Sequence, residues 1–149
     1  MIEPGALAPD FDAATSKGQN LKLSSLRGKS VILYFYPAAF TSGCALETRT
    51  FGQMYPKLTA QGVEVIGVSV DDVEKQTAFA VDCHADFPLV ADADKSIAKE
   101  YGVLGASQTA KRVTFFIDPN GKVAEVVETG PPGRHTEKAV ERYLKSTQR

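Results

Sequence analysis

Val31-Ile32-Leu33-Tyr34-Phe35-Tyr36-Pro37-Ala38-Ala39-Phe40-Thr41-Ser42-Gly43-Cys44 is the stretch on which the fold turns. Its first six residues carry no polar break beyond two tyrosine hydroxyls, the pattern of a strand buried on both faces. Pro37 ends the run. A Thr-Ser-Gly turn follows, and Cys44 opens a helix predicted from about Ser42 to Ala60. The stripe Cys44, Thr48, Phe51, Tyr55 and Leu58 recurs at helical spacing and turns Cys44 toward the core. Glu47, three residues beyond Cys44, shares that face. Pro56 predicts a kink or an early break.

Outward from this stretch, strands and helices alternate. Gln61-Gly62 closes the helix, and residues 63–70 read as a second buried strand. Asp71 or Asp72 caps a helix reaching about His84, with Val73, Thr77, Ala80 and Cys83 or His84 along one side. Phe87 to Val90 is a short extended piece, and Asp92 caps a helix through Tyr101 that Gly102 stops. Residues 113–117 read as a strand and Asp118-Pro119-Asn120-Gly121 as a turn, with residues 122–128 returning. After Gly130-Pro131-Pro132-Gly133, Thr136 to Lys145 is amphipathic, with Ala139, Val140, Tyr143 and Leu144 inward. Upstream, Phe11 and the alternation Leu21-Lys22-Leu23 suggest an N-terminal hairpin, and Ser24 to Gly28 a single helical turn. The order β-α-β-α-(β)-α-β-β-α behind a hairpin predicts an α/β domain over residues 1–149. Its central mixed sheet is covered by helices on both faces, the order of a thioredoxin-like fold.

Composition sets the outer bounds. The chain has 149 residues, 43% hydrophobic and 23% charged, enough to bury a core. Seventeen basic against 18 acidic residues give a net charge of −1, which argues against nucleic acid or a membrane surface as partner. Met1-Ile2-Glu3-Pro4-Gly5 has neither the charge nor the apolar run of a signal peptide, so a cytoplasmic protein is expected. Two cysteines are too few for a disulfide scaffold.

A cysteine in the first turn of a helix sits beside unpaired backbone N–H groups and the positive end of the helix dipole, which favour thiolate. Thr41 or Ser42 is the expected cap. Ionisation has limited reach. A thiol of pKa near ~8.5 is about 7% ionised around pH ~7.4, so full ionisation gains about 14-fold, roughly 1.5 kcal/mol. A fast thiol must also stabilise the transition state through donors aimed at the oxygens between which a bond breaks. The backbone N–H groups of Gly43 and Cys44, the Thr41 hydroxyl and the Arg112 guanidinium are the candidates. Gly43 leaves room for a small substrate.

Pro37-Ala38-Ala39-Phe40-Thr41-Ser42-Gly43-Cys44 matches the Pro-x-x-x-Thr-x-x-Cys motif of the peroxiredoxins. Tyr34-Phe35-Tyr36-Pro37, the pair Cys44-x-x-Glu47 and the segment Arg112 to Asp118 resemble the peroxiredoxin Q, or bacterioferritin-comigratory-protein, subfamily. The resemblance runs from Gly5 to the last helix. It implies a monomeric thiol peroxidase without metal or organic cofactor, acting on hydrogen peroxide or alkyl hydroperoxides. Cys44 would be the peroxidatic cysteine, Thr41 and Arg112 would position the peroxide, Pro37 would shield the pocket, and Glu47 would join the hydrogen-bond network. Two positions depart from the subfamily. Ser42 stands where many members have proline. Arg49 stands where some carry a resolving cysteine, leaving Cys83 as candidate resolving residue and thioredoxin as the implied reductant. By position Cys83 lies about one turn, ~5.4 Å, beyond the usual place, so a Cys44–Cys83 disulfide requires both helix segments to unwind locally.

Other readings compete. Cys83 can be a buried apolar residue, leaving a one-cysteine peroxidase recycled by an external thiol. A disulfide reductase needs Cys-x-x-Cys, and Thr41 occupies the first position. A non-catalytic holdase of the same fold need not retain Pro37, Thr41, Cys44 and Arg112 together. His84 and His135 are expected at the surface or in loops and not as metal ligands. Gly28-Lys29-Ser30 resembles the tail of a phosphate loop, but Leu23 occupies the place of its first glycine.

Overall fold

The computed structural model describes residues 1–144. Seven strands and four α-helices follow the expected order: β1 (Asp12–Ala14), β2 (Asn20–Lys22), β3 (Ser30–Phe35), α1 (Ser42–Ala60), β4 (Val63–Ser69), α2 (Val73–Asp82), β5 (Leu89–Ala91), α3 (Ser96–Tyr101), β6 (Val113–Ile117), β7 (Val123–Val127) and α4 (Pro132–Ala139). A 3₁₀ turn over Leu23–Leu26 follows the β1–β2 hairpin, and a π-helical turn over Val140–Leu144 extends α4. The main sheet has the order β5-β4-β3-β6-β7, with β3 parallel to β4 and antiparallel to β6.

β3 is the central strand, and its apolar run is explained by burial on both sides. Ile32, Tyr34 and Tyr36 face one way and pack with Phe51 and Leu58 of α1, Phe79 of α2 and Ala139 of α4. Val31, Leu33 and Phe35 face the other way, onto Ile97, Ala98 and Tyr101 of α3. The register Phe35↔Val113 sets the start of β6 beside the end of β3. The β3–α1 connection leaves from that same end. Antiparallel pairing thus carries Arg112 to the mouth of α1, 68 residues away from Cys44 in sequence.

Several local expectations are revised. α1 continues through Pro56 to Ala60 without a break. A proline forfeits one hydrogen bond to the carbonyl four residues back, here that of Gly52, and packing on β3 outweighs that loss. In α2 the buried positions are Gln76, Phe79 and Ala80, not Val73 and Thr77. Gln76 tolerates burial because its amide is satisfied: Oε1 accepts from the Tyr36 hydroxyl at 2.6 Å and Nε2 donates to the Val90 carbonyl at 2.8 Å. α3 starts at Ser96, after Lys95 in a left-handed conformation, rather than directly after Asp92. Asp92 still caps it, accepting from the Ile97 and Ala98 N–H groups at 3.0 and 2.8 Å. α4 begins at Pro132, four residues before the expected Thr136, since proline suits a first helical turn. That earlier start puts His135 inside the helix and buries it completely, instead of leaving it at the surface or in a loop. The expected end at Lys145 lies outside the described residues.

Candidate active site

Cys44 is the third residue of α1 and is 1% exposed. The first backbone bond of the helix runs from the Ala45 N–H to the Thr41 carbonyl at 2.8 Å. The Gly43 and Cys44 N–H groups precede it and are left without an intrahelical acceptor. The loop that delivers them is pinned by Asp71, whose Oδ2 accepts from the Ala39 N–H at 2.8 Å and from the Ser69 hydroxyl at 2.6 Å. At sequence level Asp71 read only as a helix cap; its role in holding the loop depends on β4 lying beside β3, which no local pattern reveals.

Arg112 joins the two acids of the site. Its Nη2 donates to Cys44 Sγ at 3.3 Å, and its Nη1 donates to Glu47 Oε1 at 2.7 Å. Glu47 is fully enclosed, and its Oε2 has no hydrogen-bond partner among the described residues. Burial outweighs the neighbouring Arg112 and pushes the Glu47 carboxyl up to about 8. Gly43 lies against the guanidinium: a Cβ there would sit 3.2 Å from Arg112 Nη2 and 3.3 Å from Pro132 Cγ. The opening of α4 therefore closes one side of the site.

Thr41 occupies the N-cap, but its side chain makes no capping bond. Its hydroxyl instead donates to the Ala38 carbonyl at 2.8 Å. The proton is thereby committed, so toward the pocket Thr41 offers lone pairs and not the donor expected from sequence. Pro37 is half-buried beyond the end of β3. Phe40, left-handed at φ 65° and half exposed, packs on Phe79 with the rings tilted at 60° and their centroids 5.2 Å apart.

Cys83 is the C-cap of α2 and is 1% exposed. Its Sγ lies 4.0 Å from the Ala45 carbonyl oxygen, and both cysteines are free thiols. Burial pushes the Cys83 thiol up, opposed by the charge of Arg49, which is paired to Asp82 at 3.1 Å. His135, not foreseen as part of this region, packs from α4 onto β6, its Nδ1 2.8 Å from the Thr114 hydroxyl. The structure thus gathers Cys44, Gly43, Glu47 and Arg112 at one point, with Thr41 at the helix mouth and Cys83 one helix away.

A buried sulfur at a helix N-terminus, bonded by a guanidinium and flanked by free backbone N–H groups, is built to attack and to hold negative oxygen. The model of the AhpC/TSA family matches residues 4–126. The chain belongs to this family of peroxiredoxins. A putative peroxiredoxin bcp of Coxiella burnetii is 36% identical over 132 residues, covering 84% of this chain and 87% of its own length. Peroxiredoxin Bcp of Escherichia coli is 30% identical over 141 residues, covering 90% of each. Among solved structures, peroxidoxin BcpB of Mycobacterium tuberculosis superposes with a TM-score of 0.88 at 32% identity, over 97% of this chain and 99% of that one. The peroxiredoxin is accordingly a thiol-dependent peroxidase of the thioredoxin fold. Among its described residues no helix is long and apolar enough to cross a membrane, and no group of His, Cys, Asp or Glu is arranged to hold a metal ion.

Proposed function

We propose that Cys44 is the peroxidatic cysteine and that the enzyme reduces hydrogen peroxide and organic hydroperoxides in a thiol-reducing compartment such as the cytoplasm. The observation that carries this is the 3.3 Å bond from Arg112 Nη2 to Cys44 Sγ at the mouth of α1. The thiolate attacks the terminal peroxide oxygen, the O–O bond breaks, and the sulfur becomes a sulfenic acid while an alkoxide or hydroxide leaves and is protonated. Arg112 and the Gly43 and Cys44 N–H groups face the oxygens on which charge develops. The Thr41 hydroxyl accepts from the peroxide O–H and aligns it for attack. Pro37 keeps water from one side of the pocket.

Cys83 then attacks the Cys44 sulfenic acid, expelling water and forming a disulfide that thioredoxin reduces. Its place at the end of α2 supports this, since the sulfur already packs on the residue after Cys44 and leaves without melting the interior of its helix. Both thiols come from one chain, which suits a monomer. The burial of Cys83 favours a second reading, in which it is structural and an external thiol recycles Cys44. Intact mass after one equivalent of hydrogen peroxide separates the two. Loss of two hydrogens with both thiols blocked to alkylation is the result expected. Gain of one oxygen with Cys83 still reactive would establish the one-cysteine route, and an unchanged mass would overturn the peroxidase assignment of Cys44.

A further inference from the structure

Resting on that reading, the geometry points to a single ionisable proton shared between Cys44 and Glu47 through Arg112, carried by Glu47 while Cys44 is a thiolate and given up when Cys44 is oxidised. Arg112 is the only cation that bonds either acid among the described residues, and it bonds both, with different nitrogens. One cation compensates one buried anion; a second would be left in a low-dielectric pocket without a counter-charge.

The surroundings decide which acid keeps the proton. Glu47 Oε1 accepts from Arg112, whereas its Oε2 is buried with no donor facing it among the described residues. An ionised Oε2 in that position is costly, and a protonated one forfeits only a neutral hydrogen bond. Cys44 lies instead where the helix end and Arg112 both favour negative charge. From β3 and the residue just beyond it, Tyr34 and Tyr36 are held neutral by burial, the Tyr34 hydroxyl bonding Thr48. From α4, His135 is held neutral by burial and by the charges of Arg112 and Arg134. From the end of α2, burial keeps Cys83 protonated. None of these supplies a second positive charge to Glu47. The upward shift of the Glu47 carboxyl to about 8 agrees with a proton held near neutral pH.

Oxidation reverses the balance. Thiolate, protonated Glu47 and ROOH become sulfenic acid, ionised Glu47 and ROH. The S–O bond forms, the O–O bond breaks, sulfur loses two electrons to the peroxide, and the proton taken by the leaving oxygen is matched by the one Glu47 releases. The neutral sulfenic acid leaves Arg112 facing Glu47 alone, which stabilises the carboxylate. Condensation with the Cys83 thiol releases only water, so the proton count is the same whichever route recycles Cys44.

The test is the infrared difference spectrum of oxidised minus reduced enzyme near neutral pH after one equivalent of hydrogen peroxide. Proton uptake in weakly buffered indicator solution is read in parallel. Loss of one carboxylic-acid carbonyl band with gain of a carboxylate band, and uptake near zero per peroxide consumed, is expected for the wild type. In Glu47→Gln the band pair is absent and uptake rises toward one proton per thiolate, counted from its ultraviolet absorbance. Cys44→Ser, read without peroxide, is a second check: with Arg112 facing Glu47 alone, the carboxylic-acid band is already missing. Stoichiometric oxidation of Cys44 by mass with no carboxyl change in the wild type would overturn the shared proton and leave the peroxidase standing. Failure of Cys44 to oxidise at all would overturn the peroxidase reading itself.

Discussion

The Cys83 sulfur lies 4.0 Å from the carbonyl oxygen of Ala45, the residue that follows Cys44. Cys83 thus packs against the first turn of α1, yet each thiol is almost completely buried and belongs to a helix end. Joining them requires the last turn of α2 and the first of α1 to open. Such ends are the cheapest parts of a helix to unfold. Cys83→Ser is expected to keep the rate of the first peroxide reaction within about threefold, because Cys83 touches none of the donors at Cys44, and differences below ~0.7 kcal/mol are that small. It is expected to abolish turnover with thioredoxin. Stopped-flow fluorescence and a coupled reductase assay read the two steps separately, and normal turnover of the variant would remove Cys83 from the cycle.

Arg112 acts as a fork, with one tine on sulfur and the other on Glu47. Lysine has the charge without the second nitrogen, so it cannot hold both partners. Arg112→Lys is expected to lower kcat/KM for hydrogen peroxide by about 10²–10³, the usual loss for an oxyanion donor. Stability should change less, since a replaced cation still faces Glu47. A rate within a few-fold of wild type would show that the bidentate geometry is not required.

Gly43 is tested by the smallest possible addition. An alanine Cβ would press on Arg112 Nη2 at 3.2 Å and on Pro132 Cγ at 3.3 Å. Glycine is not needed here for its backbone, because its φ lies outside the left-handed range. The guanidinium must shift by a few tenths of an ångström, and alanine favours a helix over glycine by about 1 kcal/mol. Gly43→Ala is therefore expected to fold at least as stably, by thermal melt, while losing about tenfold in kcat/KM through displaced donors. A parallel loss of Tm and activity would mean that the contact is structural and not positional.

The order of elements along the chain and the Cys44 end of α1 were readable because they rest on local patterns: a six-residue apolar run, a proline, and a stripe at helical spacing. Arg112 stood among the candidate donors and in a segment resembling the family, but no local pattern brings it to Cys44, since its approach depends on β6 pairing antiparallel with β3. Thr41 was placed correctly at the helix mouth but assigned the wrong polarity, because its acceptor is the Ala38 carbonyl three residues back in an irregular turn. The inward face of α2 was misread for a related reason. Gln76 lay off the side read as inward, and its burial depends on the Tyr36 hydroxyl, just beyond β3, and the Val90 carbonyl of β5, which satisfy its amide inside. His135 was misplaced because α4 starts earlier than its amphipathic pattern suggested, which rotates that residue onto Thr114.

His135 carries the clearest consequence for stability. Burial, with the charges of Arg112 and Arg134, lowers it from 6.5 to about 4. Between those values the unfolded chain binds a proton that the folded enzyme refuses, so stability is full above the unfolded value and is lost as pH falls. The loss by pH ~4 is on the order of 3 kcal/mol. Glu47 works in the opposite sense, because its raised value makes the folded state the better proton binder and stability falls as pH rises toward about 8. Comparing wild type with His135→Gln cancels that second slope. Urea denaturation at a series of pH values from neutral down to about 4.5 is expected to give a steeper acid loss in wild type than in the variant. Equal slopes would mean that His135 is charged in the folded enzyme and that its contact with Thr114 holds a cation.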